Sequence, residues 1–331
     1  MTRVGVLGAG SWGTTLAHLL AVKGCDVRLW AFEPEVAESI NARHENPLYL
    51  PDAPLDSRLA ASTVIGDVVA GAELIVSAAP SHAVRSVLAP IRNELAGRLV
   101  VSATKGLEAG TLARMSQVLY ELSPTARFVV LSGPSFAREV YDGQPTLVVA
   151  ASSDADAAKS AQQAFATPRF RVYTGGDVIG VELAGALKNV IAIAAGILDG
   201  LGLGSNTRAA LITRGLAEMA RLGVAEGAEP VTFAGLAGMG DLILTATGDL
   251  SRNRSLGLAL AQGQSFEGYR ATHRSVAEGA NASRAGAALG ARRGVELPIA
   301  ERVCAVLFGG KPVRDTVAEL MERELKAETW R

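Results

Sequence analysis

Cysteine and histidine are scarce in this sequence. The chain of 331 residues has 2 cysteines and 4 histidines. They are scattered at positions Cys25, Cys304, His18, His44, His82 and His273. Disulfide frameworks and structural zinc sites need clustered or regularly spaced ligands. The sequence therefore predicts reduced thiols and no metal site.

An excess of charge of one sign is also missing. The 32 Lys and Arg residues nearly balance the 33 Asp and Glu residues, which leaves a formal net charge of -1. Such a balance provides no overall field that would hold nucleic acid or an anionic membrane. We expect no nucleic-acid partner, and any anionic ligand must be held by a local site.

The sequence shows no signal-peptide or membrane-span pattern. Met1-Thr2-Arg3 runs directly into an apolar segment at residues 4–7, without the apolar region of a secretory leader. The longest apolar stretch, residues 190–198, is closed by Asp199 and is shorter than the ~20 residues that cross a bilayer. We expect a cytoplasmic protein without membrane insertion.

Two kinds of pattern divide the chain. Short β-branched runs separated by amphipathic segments predict strands at residues 4–7, 26–30, 73–78, 98–103, 128–131, 147–151 and 169–173. Only helical patterns follow, at residues 178–198, 207–222, 251–262, 276–289, 298–308 and 313–325. We predict an α/β protein with a mostly parallel sheet domain at residues 1–176 and an all-helical domain at residues 177–331.

A glycine loop follows the first strand. Gly8, Gly10 and Gly13 match the G-x-G-x-x-G pattern between the strand at residues 4–7 and a helix at residues 14–23. In this context the glycines allow a tight turn and let the backbone approach a pyrophosphate at the helix N-terminus. The loop indicates a Rossmann-type dinucleotide-binding domain.

Glu33 lies twenty residues after Gly13, beyond the second strand. An acidic residue at that position typically binds the ribose hydroxyls of NAD, whereas an arginine accommodates the 2′-phosphate of NADP. Phe32 is apolar and Arg28 lies inside the strand, so NAD(H) is weakly favoured over NADP(H). Alternatively, Glu33 serves only the dipole of the helix that begins at Pro34.

Polar residues follow two later strands, where ligands of open α/β sheets bind. Lys105 comes after the strand at residues 98–103, and Gly133 and Ser135 come after the strand at residues 128–131. Taken singly, Lys105 is typical of a solvated loop and Ser135 of a helix cap. Their shared location makes both candidates for substrate binding.

Lys188 lies in a nearly apolar helical segment. Small or β-branched residues such as Val181, Ala184 and Gly185 share its face, so a ligand could approach closely. Burial there would lower the pKa of the lysine towards a range useful for proton exchange. A lysine at a helix–helix rim is the alternative. Asp241, between glycines and an apolar run, suits a buried carboxylate that orients the lysine or the substrate.

Ser251, Arg252 and Asn253 open a predicted helix. Three hydrogen-bonding side chains and free amides at a helix N-terminus form a suitable phosphate site. An ordinary capped helix with exposed arginines is the alternative.

These motifs together resemble the bacterial-type NAD(P)-dependent glycerol-3-phosphate dehydrogenases. The resemblance extends nearly from end to end, through residues 8–14, 44–51, 80–82, 103–108, 132–137, 187–189, 238–242 and 251–253. It implies reversible reduction of dihydroxyacetone phosphate to sn-glycerol 3-phosphate for phospholipid synthesis. Many members carry an arginine at the position of Phe32, so this chain departs from the pattern there.

The resemblance also implies roles for individual residues. Lys188 would be the catalytic acid/base. The implied cofactor contacts are Ser11, Trp12, Lys105, Ala137, Arg252, Val276 and Glu278. The implied substrate contacts are Lys105, Gly133, Ser135, Asp241, Ser251, Arg252 and Asn253. Substrate would lie between the domains, and a homodimer is a candidate assembly.

Two other functions stay open at this stage. A β-hydroxyacid or 6-phosphogluconate type dehydrogenase would share the glycine loop and the inward lysine, but should lack the Ser251–Asn253 site and the segment at residues 49–51. A non-enzymatic NAD-sensing protein would keep the loop but would not need Lys188 with Asp241.

Overall fold

A computed structural model describes residues 2–273, 278–322, 324 and 328. An eight-stranded sheet occupies the first half of the chain in the order β3-β2-β1-β4-β5-β6-β7-β8. Its strands are β1 (Arg3–Leu7), β2 (Asp26–Trp30), β3 (Leu59–Ser62), β4 (Leu74–Ser77), β5 (Leu99–Ser102), β6 (Arg127–Ser132), β7 (Thr146–Ala151) and β8 (Phe170–Gly175). Neighbouring strands are parallel except β6 and β7, which pair antiparallel.

Helices cover both faces of this sheet. They are α1 (Ser11–Val22), α2 (Pro34–Arg43), α3 (Ile65–Val69), α4 (Val84–Leu88), α5 (Met115–Leu122), α6 (Ala137–Tyr141) and α7 (Ala155–Phe165). The central strands β1, β4, β5 and β6 are apolar because both of their faces are buried, whereas the edge strands β3 and β8 leave some residues exposed. Val6 and Val129 face one core cluster, whereas Ile75 and Val100 face the other. The predicted mostly parallel, Rossmann-type sheet is confirmed.

Helices alone make up the described part of the chain after β8. They are α8 (Val178–Gly200), α9 (Ser205–Ala225), α10 (Pro230–Phe233), α11 (Asp241–Thr247), α12 (Arg252–Ala261), α13 (Phe266–Thr272), α14 (Glu278–Arg293), α15 (Pro298–Gly309) and α16 (Val313–Met321). A π-helical turn, Leu236–Gly240, leads directly into α11. The helical second half is confirmed.

Helix α8 is the centre of this second half. Its N-cap Asp177 accepts a hydrogen bond from Gly180 N at 2.8 Å, which satisfies one free amide of the first turn. Gly196 of α8 faces Gly257 of α12, and a Cβ on either residue would collide with the backbone of the other helix. The two backbones therefore cross closely, which glycine allows because it has no side chain.

The apolar length of α8 corrects one step of the sequence argument. The 23-residue helix has a window with mean hydropathy 1.7, so length and composition alone do not exclude a membrane span. Residues 230–247 pass the same test more weakly, with mean hydropathy 1.2. However, 89% of the α8 window is buried inside the fold, which is typical of the core helix of a soluble protein.

A buried ionic cluster joins α8 to the sheet half. Glu182 of α8 accepts hydrogen bonds from Ser116 N at 2.7 Å and from Arg114 Nη1 at 2.9 Å. Burial raises the pKa of Glu182, and the bonds from Ser116 and the Arg114 charge oppose that effect. A buried carboxylate with this many partners fixes where α8 meets α5, and so fixes the position of Lys188 relative to the sheet.

Candidate active site

The glycine loop has the geometry that a dinucleotide requires. Gly8 has φ +114°, and a Cβ on Gly13 would collide with the Gly8 carbonyl, so both positions need glycine. Gly10 borders open space, and α1 begins after it without a side-chain cap. The free amides of the first turn are therefore accessible to a pyrophosphate. Residues of this loop fit the cofactor.

Glu33 lies where the adenosine ribose is expected, at the carboxyl end of β2. It is the N-cap residue of α2, but its side chain does not cap that helix. Instead, Glu33 Oε1 accepts a hydrogen bond from the Tyr49 hydroxyl at 2.7 Å. Glu33 therefore has a side-chain partner outside α2, and its role at the ribose stays a prediction. Phe32 beside it is 77% exposed.

Lys105 extends from the end of β5 towards the helical half. Its Nζ donates to the Gly133 carbonyl at 3.0 Å and to Asp241 Oδ2 at 2.6 Å. Gly133 has φ +141°, and a Cβ there would lie 2.9 Å from Val148 Cα. Ser135 Oγ also donates to the Gly133 carbonyl, at 2.9 Å. The loop after β6 thus orients Lys105, and the predicted proximity of Lys105, Gly133 and Ser135 is observed.

Lys188 is the second lysine on Asp241. Its Nζ donates to Asp241 Oδ1 at 2.8 Å and to Thr245 Oγ1 at 2.6 Å. Gly185, one turn earlier on α8, leaves room for Lys105, whose Cγ would lie 3.5 Å from a Cβ added there. Asp241 therefore joins a cation from the sheet half to a cation from the helical half.

Lys105, Asp241 and Lys188 form a triad in which burial and charge shift the pKa values of Asp241 and Lys188. Burial lowers the pKa of Lys188 to about 8; Asp241 opposes the shift, and the Lys105 charge adds to it. For Asp241, burial alone would raise the pKa, but Lys105 and Lys188 outweigh it and hold the pKa below its usual value. The group thus has a permanent carboxylate beside a lysine that can exchange a proton near neutral pH.

The phosphate candidates lie at the start of α12. Ser251 is the N-cap, and its Oγ accepts from Arg254 N at 3.2 Å. Asn253 is buried, donates to Asn189 Oδ1 at 2.9 Å and accepts from Gly279 N at 2.9 Å. Arg252 is exposed and has no hydrogen bond or ion pair within the described part of the chain. Arg252 is thus the side chain of this site that is most available to an anion.

The remaining cofactor candidates lie on both halves of the protein. Glu278, at the start of α14, accepts from Ser81 N at 3.2 Å and from Ser81 Oγ at 2.8 Å, so it reaches the loop after β4. Ala137 accepts from Thr15 of α1 through its carbonyl at 3.2 Å. Trp12 Nε1 is buried without a hydrogen-bond partner among the described residues. Val276 lies outside the described residues.

Sequence reasoning did not assign roles to several residues that the site uses. Thr245 lies one helical turn after Asp241, a spacing that would have placed both on one face of α11. Asn46 and Tyr49 belong to the segment 44–51 that carried part of the resemblance, but no local pattern indicated that they contact the glycine loop and Glu33.

Comparisons with known proteins agree with this geometry. The family model described as NAD-dependent glycerol-3-phosphate dehydrogenase N-terminus matches residues 3–158, and the corresponding C-terminus model matches residues 177–318. Curated proteins named glycerol-3-phosphate dehydrogenase [NAD(P)+] from Geobacter metallireducens and Geobacter sulfurreducens are each 55% identical to this chain. The alignments cover 98% of both chains for the first and 99% of both for the second.

A solved structure is similar over the same length. The crystal structure of glycerol-3-phosphate dehydrogenase from Coxiella burnetii superposes with a TM-score of 0.93 at 40% identity, and the match covers 97% of this chain and 98% of that one. The chain belongs to the NAD-dependent glycerol-3-phosphate dehydrogenase family.

Proposed function

We propose that this chain is an NAD(P)-dependent oxidoreductase that interconverts dihydroxyacetone phosphate and sn-glycerol 3-phosphate, with Lys188 as its acid/base. The observation that carries the assignment of Lys188 is the buried triad in which Asp241 bonds both Lys188 and Lys105. Family membership supports the reaction, and the triad supports the residues that perform it.

Residues 1–176 bind the dinucleotide in this proposal. Gly8, Gly10 and Gly13 admit the pyrophosphate to the amides of Ser11 and Trp12, and Glu33 accepts from the ribose. Lys105, Ala137, Arg252, Val276 and Glu278 complete the cofactor contacts. The bound nicotinamide supplies the hydride for reduction of the substrate carbonyl.

Residues 177–331 supply most of the substrate contacts. The exposed Arg252 guanidinium and the first-turn amides of α12 bind the phosphate, because a charge-assisted bond at a helix N-terminus favours a dianion. Ser251 and Asn253 bind the phosphate through donors and acceptors that are not already used in hydrogen bonds within the protein. Gly133 and Ser135 lie beside the carbonyl group of the substrate. Asn253 also braces α12 against α8 and α14.

Lys188 moves the proton. Its Nζ, as ammonium, donates a proton to the oxygen that forms the new hydroxyl, and in the reverse direction the neutral amine accepts it. Asp241 holds Nζ in place and stabilises the ammonium form, and Lys105 secures the other oxygen of Asp241. Thr245 Oγ1 fixes the lysine from the other side. Lys188 and Asp241 are almost completely buried, so a substrate bound beside them would be shielded from water.

The reaction supplies glycerol phosphate for phospholipid synthesis. We place the protein in the cytoplasm, where the free thiols of Cys25 and Cys304 are stable. A homodimer is the assembly that we propose to test.

Initial-rate kinetics with purified protein test the proposed reaction. Oxidation of NADH or NADPH should depend on dihydroxyacetone phosphate and should yield sn-glycerol 3-phosphate. Faster turnover of a panel of 3-hydroxy or 6-phosphogluconate type substrates would favour the related dehydrogenases instead. Tight NADH binding without turnover of any panel member would favour a sensor.

A further inference from the structure

Residues 46–50 form a tight turn between α2 and β3, against the glycine loop. The turn is closed by hydrogen bonds from Tyr49 N and Leu50 N to the Asn46 carbonyl, at 3.3 and 2.8 Å. Asn46 is fully buried. Its Nδ2 donates to the Ala9 carbonyl and to Thr14 Oγ1, both at 2.8 Å. One end of the turn is therefore fixed to the loop that approaches the pyrophosphate.

The other end is fixed by Tyr49. Its carbonyl accepts from Ser11 Oγ at 2.5 Å, which joins it to the first residue of α1. Its hydroxyl donates to Glu33 Oε1 at 2.7 Å. A single residue thus connects the beginning of α1 with the acid at the end of β2. These are the two places where the pyrophosphate and the ribose are expected.

The hydrogen bond from Tyr49 determines where the long, partly exposed side chain of Glu33 lies. Glu33 does not cap α2 through its side chain, and no hydrogen bond from the described residues reaches its Oε2. Without the Tyr49 hydroxyl, the glutamate would be free to sample solvent-facing rotamers, because burying or fixing such a side chain costs conformational entropy. With it, one oxygen is held and the other is open to a ligand.

We propose that Tyr49 is a positioning residue for cofactor selectivity, which acts by holding the Glu33 carboxylate at the ribose site. A fixed carboxylate accepts hydrogen bonds from the ribose hydroxyls of NADH and repels the 2′-phosphate of NADPH. A mobile carboxylate binds the ribose hydroxyls and repels the 2′-phosphate less well, because it can rotate towards solvent, where its charge is screened. This inference rests on the proposed role of Glu33.

Tyr49→Phe tests the inference, because it removes only the hydroxyl. The ratio of kcat/KM for NADH to that for NADPH should fall about threefold to tenfold, as expected for loss of one partly wet, charge-assisted bond. The Kd for NADH, measured by fluorescence without substrate, should rise by a similar factor. The KM for dihydroxyacetone phosphate and the kcat at saturating NADH should stay within about twofold.

Tyr141→Phe is the matched control. The Tyr141 hydroxyl donates to the Pro54 carbonyl at 2.7 Å in the same half of the protein, and no hydrogen bond joins it to Glu33 within the described residues. It should leave the selectivity ratio unchanged. If both variants lower the ratio equally, a general loosening of the sheet half is responsible and the inference is wrong.

Glu33→Gln separates the inference from its premise. Alone it should lower the NADH to NADPH ratio, and Tyr49→Phe added to it should lower the ratio no further. An equal additional loss in the double variant would show that Tyr49 contacts the cofactor directly and would overturn the inference. An effect of Glu33→Gln without any effect of Tyr49→Phe would overturn it as well. If Glu33→Gln alone has no effect, the ribose role of Glu33 fails, and the inference fails with it.

Discussion

The Nζ of Lys188 lies 2.8 Å from Oδ1 of Asp241, and both side chains are almost completely buried. A buried charge that loses its partner is costly, commonly by several kcal/mol. Asp241 has a second partner, because Lys105 Nζ lies 2.6 Å from its other oxygen. Removal of Lys188 therefore leaves the carboxylate paired, and the fold should tolerate the change.

Lys188→Ala should lower kcat by on the order of 10²- to 10⁴-fold, because proton transfer to the substrate oxygen is lost. The Kd for NADH should change little, since the glycine loop is on the other half of the protein. Steady-state kinetics and a fluorescence titration would check both. Lys159→Ala, on the exposed face of α7, is the matched control. A Lys188 variant within a few-fold of wild-type kcat would exclude the acid/base role.

The two directions of the reaction should have opposite pH dependence. Reduction needs Lys188 protonated, and burial lowers its pKa to about 8, so kcat/KM for dihydroxyacetone phosphate should fall as the pH rises through about 8. Oxidation needs the neutral amine, so kcat/KM for sn-glycerol 3-phosphate should rise over the same range. Profiles from pH 6 to 10 would check this, after correction for the proton in the overall equilibrium. Profiles of the same shape in both directions would contradict it.

Arg252→Ala should raise the KM for dihydroxyacetone phosphate. The lost charge-assisted contact corresponds to roughly 1.5–3 kcal/mol of binding free energy. The Kd for NADH should also rise, because the same side chain is a proposed cofactor contact. Arg292→Ala, exposed at the end of α14, is the control for loss of a surface arginine. If the KM for the substrate and the Kd for NADH both match those of the control, Arg252 belongs to the solvated surface.

The sequence predicted most of the architecture because the relevant signals are local. Apolar β-branched runs marked seven of the eight strands, and the glycine loop marked the turn between β1 and α1. Strand β3 was missed, since its sequence Leu-Ala-Ala-Ser has little β-branched character and it pairs only with β2 at the sheet edge. The short helices α10, α11 and α13 were missed because apolar periodicity is hard to recognise over four to seven residues.

The candidate site was predicted residue by residue, but its contacts were not. The carboxyl ends of β5 and β6 bring Lys105 and Ser135 together, which the topology of a parallel sheet implies. The bond between Lys105 and Asp241 joins residues 136 positions apart, and it depends on how α8 packs against the sheet. No local pattern encodes such a contact, so the sequence could indicate a buried carboxylate at Asp241 that orients Lys188 or the substrate, but not its second cation, Lys105.

Glu218 should make stability depend on pH. It caps α15 by accepting from Ile299 N at 2.9 Å, and burial raises its pKa to about 7. Between its unfolded pKa, near 4.5, and about 7, the folded state holds the proton while the unfolded chain has lost it. The free energy of unfolding should therefore fall as pH rises through that window, by roughly 3 kcal/mol for the raised pKa alone.

Glu218→Gln keeps an oxygen acceptor for Ile299 N but cannot ionise. Its free energy of unfolding, measured by urea denaturation, should increase relative to that of wild type as the pH rises from 5 to 8. Glu267→Gln, at an exposed position in α13, should differ from wild type by a constant amount. A constant difference for Glu218→Gln too would show that its carboxylate is not the source of the pH dependence.

Cofactor choice is the last property that the structure makes testable, and it involves the residue at which this chain departs from the family pattern. Phe32 is 77% exposed, offers no donor to a 2′-phosphate, and packs edge-on against Trp30 with ring centroids 6.3 Å apart. The Arg28 guanidinium donates to the Asp67 carbonyl at 3.4 Å, so we expect it not to supply the missing donor. The wild type should therefore have a higher kcat/KM with NADH than with NADPH.

Phe32→Arg should shift that preference towards NADPH by about tenfold, or roughly 1.4 kcal/mol of differential transition-state stabilisation. The new guanidinium can pair with the 2′-phosphate, but the exposure of Phe32 means that solvent and salt screen the attraction, so a larger shift is not expected. Phe32→Leu is the control for loss of the ring without gain of charge. Kinetics with both coenzymes at low and high salt would check the charge effect, since the shift should shrink at high salt. A wild type that already prefers NADPH would contradict the proposed role of Glu33 and leave the assigned reaction intact.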